Sequence, residues 1–96
     1  MKKRALVILT DGFEEIEAIT PIDLLRRAEV EVTLASATES LEITGKMGVV
    51  IQANSKLVDC SDKEYDLLVL PGGPGVFSLR EDVRVLDLIA SQAQRG

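Results

Sequence analysis

Two uninterrupted apolar runs, "RALVILT" from Arg4 to Thr10 and "LLVL" from Leu67 to Leu70, constrain this chain more than any other feature. A strand with one wetted face alternates apolar and polar residues. A continuous apolar run instead suits a strand buried on both faces, as in a parallel sheet. Each run stops at turn chemistry, Asp11-Gly12 after the first and Pro71-Gly72-Gly73 after the second. Between them, "VEVTLAS" (30–36) is β-branched and alternating and predicts another strand, and "LEITGKMGVVIQ" (41–52) predicts a hairpin around Gly45 and Gly48. Residues 54–64 are polar and read as a loop with a helical turn.

Two helices complete the pattern. Ile16, Ile19, Ile22, Leu24 and Leu25 recur at roughly helical spacing up to Arg27, and Val83, Leu86, Ile89, Ala90 and Ala93 do so over residues 81–96. Both stripes are the expected core faces. Pro21 should cost the first helix one backbone hydrogen bond. Glu29 stands where a helix-ending glycine is expected.

Strand, helix, strand, excursion, strand, helix is the opening of a three-layer, doubly wound α/β sheet. A right-handed crossover should carry the last helix back to another parallel strand, and only three core strands are expected here. We therefore expect residues 1–96 to be the N-terminal portion of one domain, completed by a C-terminal segment that is missing or supplied as a separate chain.

Composition narrows the function. Eleven basic against sixteen acidic residues give a net charge of −5, which argues against nucleic acid or an anionic membrane as partner. No run approaches the ~20 apolar residues of a membrane helix. "ALVIL" is too short for the core of a signal peptide, so a cytoplasmic location is expected. With no His and one Cys, the chain has neither an internal disulfide nor a zinc set, and neither a metal nor a cofactor is expected.

In an open parallel sheet, ligands bind outside the carboxyl ends of the strands. The loop after the first strand carries Asp11, Glu14, Glu15 and Glu17. Asp11 and Glu14 have capping-box spacing, and Glu14 and Glu15 complement the helix dipole. Glu17 lies beyond that stretch. It reads either as a solvated surface acid or as a part-buried carboxyl able to donate a hydrogen bond. The loop after "LLVL" is Pro71-Gly72-Gly73-Pro74-Gly75: either a flexible turn, or a bend that offers backbone N–H groups to an oxyanion. No Lys-Ser/Thr follows it, and the facing acids would repel a phosphate, so nucleotide binding is not expected. Cys60, flanked by Asp59 and Asp62, reads as an incidental surface or half-buried thiol.

Taken together, "RALVILTDGFEEIEAITPIDLLRRA" and "YDLLVLPGG" resemble the ThiJ/PfpI superfamily, in the branch of the parkinsonism-associated protein deglycase and its bacterial relatives. The resemblance covers the whole chain and implies a flavodoxin-like fold of the class I glutamine amidotransferase type. It further implies that Glu17, in "EEIEA", stabilises a reactive cysteine thiolate, and that Gly72 and Gly73 form an oxyanion hole. The nucleophile itself would follow the next strand, beyond Gly96, and Cys60 does not match it. The implied activity is glutathione-independent conversion of methylglyoxal or glyoxal, or deglycation, by a homodimer in which Leu24, Arg26 and Arg27 face the partner. The isolated chain should be inactive. The alternative within the family is a non-catalytic redox sensor or holdase-type chaperone. A phosphoacceptor receiver domain would need an Asp where Pro71-Gly72-Gly73 stands.

Overall fold

The computed structural model describes residues 2–60, 63–74, 79 and 82–94, the last four through their backbone. Strand β1 (Arg4–Leu9) leads into helix α1 (Glu15–Arg27), then β2 (Glu31–Ser36) and a hairpin of β3 (Glu42–Thr44) and β4 (Val50–Gln52). After β5 (Ser55–Lys56) and a 3₁₀ turn at Leu57–Asp59 come β6 (Leu67–Val69) and helix α2 (Val83–Gln94). The main sheet has the order β5-β2-β1-β6 and all its pairs are parallel.

The apolar run of β1 is explained by its central place. Leu6 and Ile8 enter one core with Ala35, Leu57, Cys60, Tyr65, Leu79, Val85 and Leu88. Val7 and Leu9 enter the other, with Phe13, Ala18, Ile22, Leu34, Ile43 and Ala53. Successive side chains of one strand thus feed two layers, as the period of two requires.

Three expectations are corrected. The sheet has a fourth strand, β5, which polar composition hid. Asn54 starts it by mimicking a strand residue: its Oδ1 accepts the Leu34 N–H and its own N–H donates to the Leu34 carbonyl, both at 2.8 Å. The helices also bury different faces from those expected. In α1 the buried residues are Glu15, Ala18 and Ile22, while Ile16, Ile19 and Leu24 are exposed. In α2, Val85 and Leu88 are buried, and Val83, Leu86 and Ile89 are exposed. Each helix is apolar on more than one side, so periodicity alone cannot select the side that meets the sheet. Finally, Cys60 is only 2% exposed, because the 3₁₀ turn carries it from a polar segment into the α2-side core.

The end of α1 bears out the oddity at Glu29. This residue sits at φ +65°, donates its N–H to the Arg26 carbonyl, and is followed by Val30 N–H to the Leu25 carbonyl. Those two bonds form a Schellman ending with Glu in the left-handed position usually held by Gly.

Candidate active site at the carboxyl ends of β1 and β6

Strands β1 and β6 are neighbours, paired from Ala5↔Leu67 to Val7↔Val69. Their carboxyl-end loops therefore meet, and the acids of the first face the glycines of the second. Each acid has a separate task.

Asp11 does not cap α1. Its Oδ1 accepts the Thr44 N–H at 3.0 Å, tying the loop to β3. The N-cap is Glu14, whose Oε2 accepts the N–H of Glu17 at 2.8 Å. Glu is not among the favoured cap residues, which is why the spacing pointed to Asp11 instead. Glu15 is 7% exposed, and its Oε2 accepts from Met47 N at 2.7 Å and Val49 N at 3.3 Å in the hairpin turn. Burial pushes the Glu15 carboxyl up, but the backbone N–H groups of Glu15, Met47 and Val49 and the charge of Lys46 outweigh it and leave it lowered.

Glu17 is exposed rather than part-buried, yet its carboxyl is turned onto the second loop: Oε1 accepts the Gly72 N–H at 2.9 Å. The Gly72 carbonyl in turn accepts the Glu14 N–H at 2.8 Å. A Cβ on Gly72 would overlap Glu17 Oε1, so the approach requires glycine. Gly73 adopts φ +108°, and a Cβ there would lie 2.7 Å from both Glu14 N and Gly12 O. Pro21, which has no N–H, also leaves the carbonyl of Glu17 without its helical donor.

The structure thus brings Glu17, Gly72 and Gly73 together. It also separates the two glycines chemically. The Gly72 N–H is committed to Glu17, whereas the Gly73 N–H and Glu17 Oε2 have no hydrogen-bond partner among the described residues. A free donor and a free carboxylate oxygen at the ends of adjacent strands can together hold a group that carries negative charge on one atom and exchanges a proton at another. Cys60 lies elsewhere, in the opposite core. Burial raises its thiol above the ordinary range, and its Sγ donates to the Lys56 carbonyl at 3.4 Å.

Sequence reasoning missed Glu14 and Glu15 as site supports. For Glu14 the available signal was its place three residues before Glu17, whereas the role of Glu15 depends on a hairpin turn distant in sequence. Beyond this site, no helix among the described residues is long and apolar enough to cross a membrane.

A parallel α/β sheet in this order, with α1 carrying the chain from β1 to β2, is that of the flavodoxin-like class. Within that class the chain belongs to the DJ-1/PfpI family, whose profile matches residues 3–96. It is 38% identical over 97 residues to protein dj-1beta of Drosophila melanogaster, covering 100% of this chain and 52% of that protein. The crystal structure of Drosophila DJ-1beta superposes with a TM-score of 0.95. A DJ-1 superfamily protein from Salmonella typhimurium, solved as a cysteine-to-alanine mutant, is 34% identical with a TM-score of 0.93, over 98% of this chain and 51% of that one. Toxoplasma gondii DJ-1, solved in an oxidized form, is 28% identical with a TM-score of 0.94, over 98% and 52%. The chain spans about half the length of these relatives.

Proposed function

We propose that this chain is the N-terminal part of a cysteine-dependent enzyme acting on reactive carbonyls, of the glutathione-independent glyoxalase or protein deglycase type. The observation that carries the reading is the Glu17–Gly72 bond, which joins a carboxylate to the residue preceding Gly73, whose N–H has no partner among the described residues. A thiolate supplied by the remainder of the protein would add to the carbonyl carbon of methylglyoxal or of a glycated adduct. The carbonyl π pair then moves to oxygen, where the Gly73 N–H receives it. Glu17 moves the proton through Oε2, and Gly72 acts by holding Glu17. Completion by a C-terminal segment is supported by the half-length match and by the exposed Val83, Leu86 and Ile89 on α2. Homodimerisation is supported by apolar residues exposed on α1 and the hairpin, with Ile16 at 72% and Met47 at 78%, joined through Glu15. Leu24 and Arg26 are also exposed, whereas Arg27 pairs with Asp23 at 3.1 Å.

The test uses the full-length protein with Glu17→Gln and Glu17→Asp, assayed against methylglyoxal alongside the pH dependence of thiol alkylation. Both variants should lose turnover, by about 10²-fold for a lost acid–base group. Wild-type turnover and titration in both would end this role. A second reading, a redox sensor, is favoured by the oxidized form of the Toxoplasma relative. Under that reading mild peroxide converts the reactive thiol to sulfinate while carbonyl turnover under reducing conditions is absent.

A further inference from the structure

Glu14 and Glu17 stand in the N-cap and N3 positions of α1, where a capping box would close on itself. One half is present: the Glu14 carboxylate accepts the Glu17 N–H. The other half, a bond from the Glu14 N–H to the Glu17 carboxylate, is replaced. Gly72 is interposed, its carbonyl taking the Glu14 N–H and its N–H going to Glu17 Oε1. The second loop is therefore threaded into the cap of the first helix.

This has a consequence for Gly73. The Gly72 carbonyl and the Gly73 N–H belong to one peptide plane, and in a trans peptide they point in opposite directions. Pinning the carbonyl on Glu14 N therefore fixes the direction of the Gly73 N–H, and a peptide that already accepts at oxygen is the stronger donor at nitrogen. Gly73 also packs against the same backbone atom, since a Cβ there would come within 2.7 Å of Glu14 N. Resting on the catalytic reading above, we infer that Glu14 is a positioning residue of the site. Its carboxylate holds the helix turn that carries Glu17, and its N–H aims the Gly73 donor.

The experiment uses the full-length protein with Glu14→Ala, Glu14→Ser and Glu14→Asp, and Asp82→Ala as a control at the start of α2. For each, thermal stability, methylglyoxal turnover and the pH profile of alkylation of the reactive thiol are measured. Glu14→Ala should lower kcat about tenfold, as expected for a misplaced reacting group, and displace the alkylation profile upward by about one pH unit. Ser and Asp, which can cap in place of Glu, should restore both. Asp82→Ala should lose stability and leave the profile in place. Should Glu14→Ala fail to fold, Glu14→Gly is measured instead, because glycine is a tolerable N-cap that still lacks the carboxylate. A wild-type profile in the Ala or Gly variant overturns the inference. If Glu17→Gln displaces the profile while Glu14→Ala does not, only the positioning role falls. If neither moves it, the catalytic reading falls as well.

Discussion

Glu15 holds the hairpin: its Oε2 lies 2.7 Å from the amide nitrogen of Met47, a residue distant in sequence, with Val49 N at 3.3 Å on the same oxygen. The other oxygen, Oε1, is buried without a hydrogen-bond partner among the described residues. Gly45 is required beside it, because a Cβ there would collide with the carboxylate. A residue that the helix dipole alone would explain is thus the anchor of a loop on which Met47, Val49 and Val50 are displayed. An unsatisfied oxygen beside a satisfied one makes the position sensitive in both size and charge.

Glu15→Gln in the full-length protein should therefore be destabilising, and more so at neutral than at acid pH. The folded carboxyl is lowered below its ordinary value of 4.5, so the unfolded chain binds the proton more readily. Its stabilising contribution is present above pH 4.5 and lost as pH falls through the folded value. Denaturant titrations from pH 7 to 3 should show the gap between wild type and variant closing below that point. A gap constant with pH would show that the charge of Glu15 has no share in holding the turn.

The two glycines of the bend should respond differently to alanine. At Gly73 the added Cβ meets backbone, Glu14 N and Gly12 O, at φ +108°, and neither the clash nor the conformation can be relieved locally. Gly73→Ala should cost about 1–3 kcal/mol or more. At Gly72 the obstacle is the Glu17 side chain, which can swing aside. Gly72→Ala should cost less stability but break the Glu17 bond, so its activity loss should exceed its stability loss. Equal stability losses in the two variants would contradict this division.

Glu29→Gly should stabilise the protein. A non-glycine residue at φ +65° carries a left-handed penalty of roughly 1 kcal/mol, and the Schellman bonds to Arg26 and Leu25 use only backbone atoms. Thermal and denaturant midpoints should both rise, with the slope of the denaturant transition unchanged.

The departure at Glu29 was legible in the sequence, where a helix-ending Gly is expected, although the left-handed backbone that makes it costly was not. The buried β1, the hairpin around Gly45 and Gly48, and the nearness of the two strand-end loops were legible too, since each rests on local chemistry or a rule of sheet topology. The choice of Glu17 and the diglycine as partners came instead from the family resemblance. Long-range identity was not legible. Nothing in "SDKEY" or "VDC" says that Cys60 turns inward, since the direction is set by Leu57 and Tyr65 packing beside Leu6 and Ile8. The role of Glu15 depends on a hairpin tip brought to it by β3. The apolar stripes misled because Ile16, Ile19, Val83 and Leu86 are as hydrophobic as the residues that reach the core, and burial is decided by which side meets the sheet.

Cys60 supplies a control for any cysteine chemistry of the full-length protein. Its thiol is held up mainly by burial, with Asp59 adding in the same direction, while Tyr65, Ser55 and Lys63 oppose it. A thiol kept neutral is a poor nucleophile, so Cys60 should be alkylated in the folded protein far more slowly than in the unfolded one, as peptide mapping would report. The same burial makes it a liability at high pH. Because the folded value lies above the ordinary 9.0, the unfolded chain releases its proton first, and stability falls as pH rises past that point. Cys60→Ala should cost about 1 kcal/mol at pH 7 through the small cavity it leaves, and should abolish that alkaline loss. Stability curves of wild type and variant should therefore converge above pH 9.0. Parallel curves, or rapid alkylation of Cys60 in the native state, would mean that the thiol is reached by water and contributes to reactivity after all.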